Sequence, residues 1–197
     1  MALVQVFDFK VELLGIRPVI WRKFAMRADL SLGHLHTAIQ GAMGWFDAHL
    51  HVFIIDGKLY SPPDEDAEED NVVPMHRKFH DENKTVLGRL LMLHDKFKYE
   101  YDMGDSWMHE LTVTKVESMN INNKRWAWLL DGDNACPPED VGGIEGFRQM
   151  VKTLKTRPDS PQAKEYIDWL GYKYNPEIFN MAEAYKFMMD SMKRNYS

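Results

Sequence analysis

The chain has 197 residues, 45% of them hydrophobic, enough to bury a substantial core in one compact unit. Its formal net charge is -6, and six of the acids are grouped at Asp64, Glu65, Asp66, Glu68, Glu69 and Asp70; without them 24 basic side chains face 24 acidic ones. Composition therefore offers no basic footprint for nucleic acid, and the single Cys136 excludes an internal disulfide and any metal site built from several thiolates.

Charged residues interrupt each apolar run before it spans a bilayer, and Met1–Lys10 lacks the basic start and apolar block of an export signal. With one cysteine this predicts a cytoplasmic protein with no membrane partner.

Phe7, Phe9, Val11 and Leu13 alternate with polar residues, which predicts a strand with one buried face; Gly15–Pro18 turns the chain into a second strand over Ile20–Met26. Ser31 caps a predicted helix carrying Leu32, Leu35, Ile39, Ala42 and Met43, and Gly44 ends it. His34 and His36 are read as ordinary solvated or flanking side chains of that helix. His49–Ile55, Asp56-Gly57 and Lys58–Tyr60 read as strand, tight turn and strand. The order strand, strand, helix, strands predicts an α+β fold with a mixed sheet and a β-grasp-like N-terminal half.

Residues 61–85, with Pro62-Pro63 and the acid cluster, are expected to form a mobile acidic loop within a sheet-rich body spanning 1–130. Leu87, Leu90 and Leu91 suit a short inward turn. Phe97, Tyr99 and Tyr101 alternate up to a polar turn, Asp102-Met103-Gly104-Asp105-Ser106, and Trp107–Glu117 continues as a strand. Trp126–Leu130 reads as another strand and Asp131–Gly143 as loop. Residues 131–197 are this loop followed by packed helices, at Ile144–Leu154, after Ser160-Pro161, and from Met181, where Asn180 and Glu183 suit a capping box. Met188, Met189 and Met192 are read as core filler.

Several of these segments together resemble the plasmid pRiA4b ORF-3-like family: Leu14–Arg22, His36–Trp45, His49–Phe53, Tyr99–His109, Ala135–Asp140 with Gly142-Gly143, and Trp169–Gly171. The resemblance covers most of the chain in order. It implies an α+β fold but no known activity, since the family consists of uncharacterised proteins, some labelled as passengers of insertion elements or resolvases. Relatives often carry a cysteine where this chain has Val141, so no role pairing Cys136 with a neighbouring thiol applies here.

Three function classes follow. The first is an interaction or ligand-binding module for an unknown protein or small molecule, with Trp107, Asp102, Asp105, Ser106, His109, Cys136 and Asp140 as candidate ligand-binding residues. The second is a metal-dependent hydrolase, acting on phosphoesters for example. Here His49 and His51, two apart and so on one face of a strand, ligate a divalent metal with His109, Glu110 or the aspartates of the turn. The third, an accessory role for mobile DNA, rests on the family's labels alone. Against the metal stands a structural role: Asp102 and Asp105 cap the turn, and His109 sits in the core. Ser106 and His109 fall on opposite faces of a strand and do not make a nucleophile pair. Glu139 and Asp140 are read as acids favouring the start of the next helix.

Overall fold

The computed structural model describes residues 2–63, 78–121 and 126–196. The acid cluster of residues 64–70 lies outside them. Eight strands form one sheet: β1 (Ala2–Leu13), β2 (Trp21–Arg27), β3 (His51–Ile55), β4 (Lys58–Ser61), β5 (Phe79–Asp81), β6 (Lys96–Tyr101), β7 (Trp107–Ile121) and β8 (Ala127–Asp133). Their spatial order is β5-β4-β3-β6-β7-β1-β2-β8. Among the described residues only the β4–β5 pair is parallel, so the sheet is mixed. Five helices accompany it: α1 (Leu32–Met43), the single turn α2 (Leu87–Leu90), α3 (Gly143–Thr156), α4 (Pro161–Leu170) and α5 (Met181–Tyr196). The fold is α+β, with strand, strand, helix, strands at the start and three helices at the end.

Two of the expected boundaries move. Residues 79–85 do not belong to the loop: β5 pairs with β4, Glu82 N–H donates to the Ser61 carbonyl, and Glu82 is buried. On β8, strand pairing with β2 runs on to Asp133, past the point where glycine and aspartate suggest a loop. A register shift between Lys23 and Phe24 absorbs the irregularity.

The sheet is one-sided at its centre. Cross-strand registers place His51, Tyr101 and Trp107 in one row and Phe53, Tyr99 and His109 in the next, with Leu13 opposite His109. Directly opposed residues share a face, and this face is buried, while Lys98, Glu100 and Glu110 point to the other. Val6 and Ala25 gather Val4, Met119 and Trp128 into a smaller cluster apart from this main core.

Helix α1 crosses the buried face and is itself covered by α5, so every residue of it except His34 is buried. The Ser31 hydroxyl accepts from the His34 N–H and the His34 ring nitrogen accepts from the Ser31 N–H, a capping box with histidine in place of glutamate. Gly44, in the left-handed region at φ 92°, ends the helix. The approach of α5 requires Gly41, because a Cβ there would stand 2.4 Å from the Met188 Cα. Met188 and Met192 are fully buried beside it, and Met189 packs at their edge. Among the described residues no helix is long and apolar enough to cross a membrane.

Candidate functional site

The central turn takes its shape from Asp102. Its Oδ1 accepts from the Gly104 and Asp105 N–H groups at 3.0 and 3.3 Å, and its carbonyl accepts from the Ser106 N–H at 2.6 Å. Asp102 and Ser106 both lie at positive φ, 53° and 52°. Asp105 then reaches across to the glycine-rich loop, where its Oδ2 accepts from the Gly142 N–H at 3.1 Å. Gly143 packs so closely that a Cβ there would stand 2.8 Å from the Asp105 carbonyl oxygen. The loop is held at its other end by Trp45, whose Nε1–H donates to the Pro137 carbonyl at 2.9 Å, and by Tyr174, whose hydroxyl donates to the Cys136 carbonyl.

His49 meets this junction. It lies just before β3, so its imidazole is not bound to the strand alternation that sets His51, and the two rings part. His49 Nε2 lies 3.0 Å from Asp140 Oδ1, 3.7 Å from Asp102 Oδ2 and 3.9 Å from Glu139 Oε2. None of these contacts is aligned as a hydrogen bond, and His49 Nε2 is a buried atom without a hydrogen-bond partner among the described residues. The carboxylates are aimed by other bonds: Asp102 through Oδ1, and Glu139 through the Phe46 N–H, which donates to Oε1 at 2.9 Å, and the Tyr101 hydroxyl, which reaches Oε1 at 3.0 Å and Oε2 at 3.2 Å. Burial, reinforced by Glu139, pushes the Tyr101 phenol up, so it remains a donor to that carboxylate. Asp140, at φ 56° and with a side chain 69% exposed, forms the solvent side.

His51 belongs to a second cluster. Its ring stacks on His36 with centroids 3.5 Å apart and planes within 7°, and its Nε2 lies 2.8 Å from Glu82 Oε2. His36, read from the sequence as a flanking side chain, is buried, with Nε2 2.8 Å from Asp47 Oδ1 and Nδ1 2.8 Å from the Tyr99 hydroxyl. A helix covered on both sides leaves no solvated position for it.

The other candidates are placed as follows. His109 is fully buried among Trp45, Tyr99 and Trp107; its Nδ1 donates to the Tyr99 carbonyl at 3.3 Å, and burial pulls its imidazole down to about 4. The Trp107 indole is likewise fully buried in the core. Glu110 points to the opposite face of the sheet and pairs with Lys96 at 3.1 Å. His109 and Glu110 join neither histidine–carboxylate group among the described residues. Ser106 Oγ donates to Glu100 Oε1 at 2.7 Å, and His109 lies on the buried face, so the two do not meet. Burial pushes the Cys136 thiol up despite the nearby Arg22, which leaves it protonated and a poor nucleophile.

Two groups thus bring ligating atoms together: His49, Asp102 and Asp140, and His36, Asp47 and His51, each set with its atoms within 4.8 Å of one another. Glu139 stands beside the first set, its Oε2 3.9 Å from His49 Nε2. Its position after Pro137-Pro138 reads as the start of a helix, but α3 begins at Gly143 with Glu145 in its first turn, and Glu139 faces Tyr101 instead. Asp47, Glu82, Gln40 and Tyr99 carry no spacing signal that marks them in the sequence.

The comparisons agree with this architecture. A crystal structure titled as a protein of unknown function, MM3350 from Methanosarcina mazei Go1, superposes with a TM-score of 0.78 at 26% identity, covering 92% of this chain and 97% of that one. The uncharacterized protein y4hQ of Sinorhizobium fredii is 28% identical over 191 residues, 94% of this chain and 92% of its own. The model of the plasmid pRiA4b ORF-3-like protein family matches residues 5–183, and the chain belongs to that family.

Proposed function

We propose that the protein binds a divalent cation at His49, Asp102, Glu139 and Asp140, and that the cation holds an anionic small-molecule ligand. The observation that carries this reading is the buried His49 Nε2, without a hydrogen-bond partner among the described residues, with three carboxylates between 3.0 and 3.9 Å from it. One imidazole cannot cancel the charge of three carboxylates, and an excess of charge of one sign at a partly buried site is stabilised by pairing or by a metal. Cis ligands on a cation with bonds of about 2.1 Å stand about 3 Å apart, so these side chains need only small rotations to close on one.

One nitrogen with three carboxylate groups is a predominantly hard donor set, suited to manganese or magnesium. The exposure of Asp140 leaves the solvent side open, where water or the ligand's own oxygens complete the shell. Leu50, whose carbonyl accepts from the Asp102 N–H, Phe46 and Met103 are exposed apolar residues flanking this opening, so a ligand with an apolar part beside its anionic group fits best. A polyanion such as nucleic acid suits the near-neutral body less well.

The open positions favour one second reading, hydrolysis of a phosphoester by cation-bound water. Titration with Mn2+, followed by the paramagnetic resonance signal of the free ion, tests the first reading. One equivalent bound by the wild-type chain and lost in His49→Ala is expected; identical binding by both removes it. Turnover of bis(p-nitrophenyl) phosphate that requires Mn2+ and disappears in His49→Ala separates the second reading from simple binding.

A further inference from the structure

The buried cluster behind the proposed cation site has a different composition and makes a separate case. His36 comes from α1, Asp47 from the segment after it, His51 from the first position of β3 and Glu82 from the turn after β5. The last approaches α1 over Gly33, where a Cβ would stand 2.3 Å from Asn83 Oδ1 and 3.4 Å from Glu82 Oε1. His36, His51 and Glu82 are 4%, 5% and 3% exposed, so among the described residues the polar centre is nearly dry, and it meets solvent at Asp47, whose side chain is 46% exposed.

Two carboxylates and two imidazoles share this enclosed space, with the imidazoles ring to ring at 3.5 Å. Imidazole nitrogens together with carboxylate oxygens are the donor types of a zinc site.

The donors are gathered at one place. The ligand atoms of His36, Asp47 and His51 lie within 4.8 Å of one another, and Glu82 Oε2 lies 2.8 Å from His51 Nε2. Two imidazoles on one tetrahedral zinc, with bonds of about 2.0–2.1 Å, hold their ring centres about 5 Å apart, so the stacked His36 and His51 rings turn away from each other to admit the ion. Gln40 supports two of the ligands at once: its Nε2 donates at 3.0 Å to the Tyr99 hydroxyl that bonds His36 Nδ1, and its Oε1 accepts from the Asp47 N–H at 3.1 Å. A ring nitrogen fixed by an outer partner while the other faces carboxylates is the usual support of a metal-bound histidine.

We infer that His36, His51, Asp47 and Glu82 form a second, structural site for a zinc-class dication that clamps α1 to β3 and to the turn after β5. The inference does not rest on the His49 site, whose single nitrogen and three carboxylate groups favour a harder ion.

Co2+ added to the chelator-stripped full chain tests it. The expected result is a visible d–d absorption of tetrahedral type that saturates at one equivalent and is displaced by one equivalent of Zn2+. It persists in His49→Ala, and its affinity falls by about 100-fold in His51→Gln and in Asp47→Asn, the latter on the half-exposed side where folding is safest. Loss of Mn2+ binding with a retained Co2+ band in His49→Ala separates the two sites. Absence of the band in the wild-type chain, or a band of unchanged affinity in folded Asp47→Asn, overturns the inference.

Discussion

Asp105 and Gly142, 37 residues apart, are joined by a hydrogen bond in which the aspartate Oδ2 accepts from the glycine N–H at 3.1 Å. That bond ties the central turn to the glycine-rich loop and so fixes Asp102, Glu139 and Asp140 around His49. Asp105 contributes no atom to the group formed by His49, Asp102 and Asp140. Its replacement by alanine is predicted to weaken Mn2+ binding by about 10–100-fold, as for an outer partner of a metal ligand, while stability falls by only about 1 kcal/mol. Parallel Mn2+ titration and denaturant unfolding check both numbers. Unchanged affinity would show that the two loops hold their positions without this bond.

The same junction predicts the effect of Gly143→Ala. Gly143 has a φ of 65°, and a Cβ would stand 2.8 Å from the Asp105 backbone oxygen, which cannot move without disturbing the turn. Strain and displacement together are expected to cost about 1–3 kcal/mol, with weaker Mn2+ binding as well. Thermal unfolding and titration of the variant measure these.

At the helix interface the decisive quantity is space. Gly41→Ala gains about 1 kcal/mol of helix propensity. Its Cβ, however, would lie 2.4 Å from the Met188 Cα, a backbone atom that yields only if α5 shifts as a whole. Overpacking of this kind costs about 1–3 kcal/mol and outweighs the propensity. Chemical denaturation is expected to show a less stable protein; a more stable one would mean that α5 is not held against α1.

Stability should also fall with acid in a window set by His109. The unfolded imidazole takes a proton near 6.5, whereas the folded one, desolvated in the core, takes it only near about 4. Between those values the unfolded chain binds more protons, so the contribution is complete above 6.5 and is lost as pH falls toward 4, up to about 3 kcal/mol. The lowered imidazoles of His34 and His36 act in the same direction. Unfolding free energies at pH 7.5 and 4.5 measure the slope, and His109→Phe is expected to flatten it.

The fold was legible wherever one face of an element meets water. Phe7 to Leu13 alternate, Ser31 and Gly44 bracket α1, and Asp56-Gly57 closes a hairpin at φ 48° and 73°, because each signal is local. The site was legible in part. Asp102, Asp105 and Asp140 stand out because turn and loop chemistry concentrates them. His49 and His51 stand out as a pair, yet the strand rule that groups them fails because β3 begins at His51 and leaves His49 outside it. His36 and Gln40 were obscured because the pattern of α1 suggests one solvated face, whereas α5 covers that face too. No local rule brings Glu82 to His51 or Glu139 to Tyr101, since both contacts depend on how distant strands and loops pack.

The most direct measurement is the anomalous difference density of manganese in crystals of the wild-type chain soaked in Mn2+. The account predicts a peak within bonding distance, about 2–2.6 Å, of His49 Nε2 and of carboxylate oxygens from Asp102 and Asp140. A Mn2+-soaked crystal with no peak there, the His49 ring bonded only to protein or water, would contradict it.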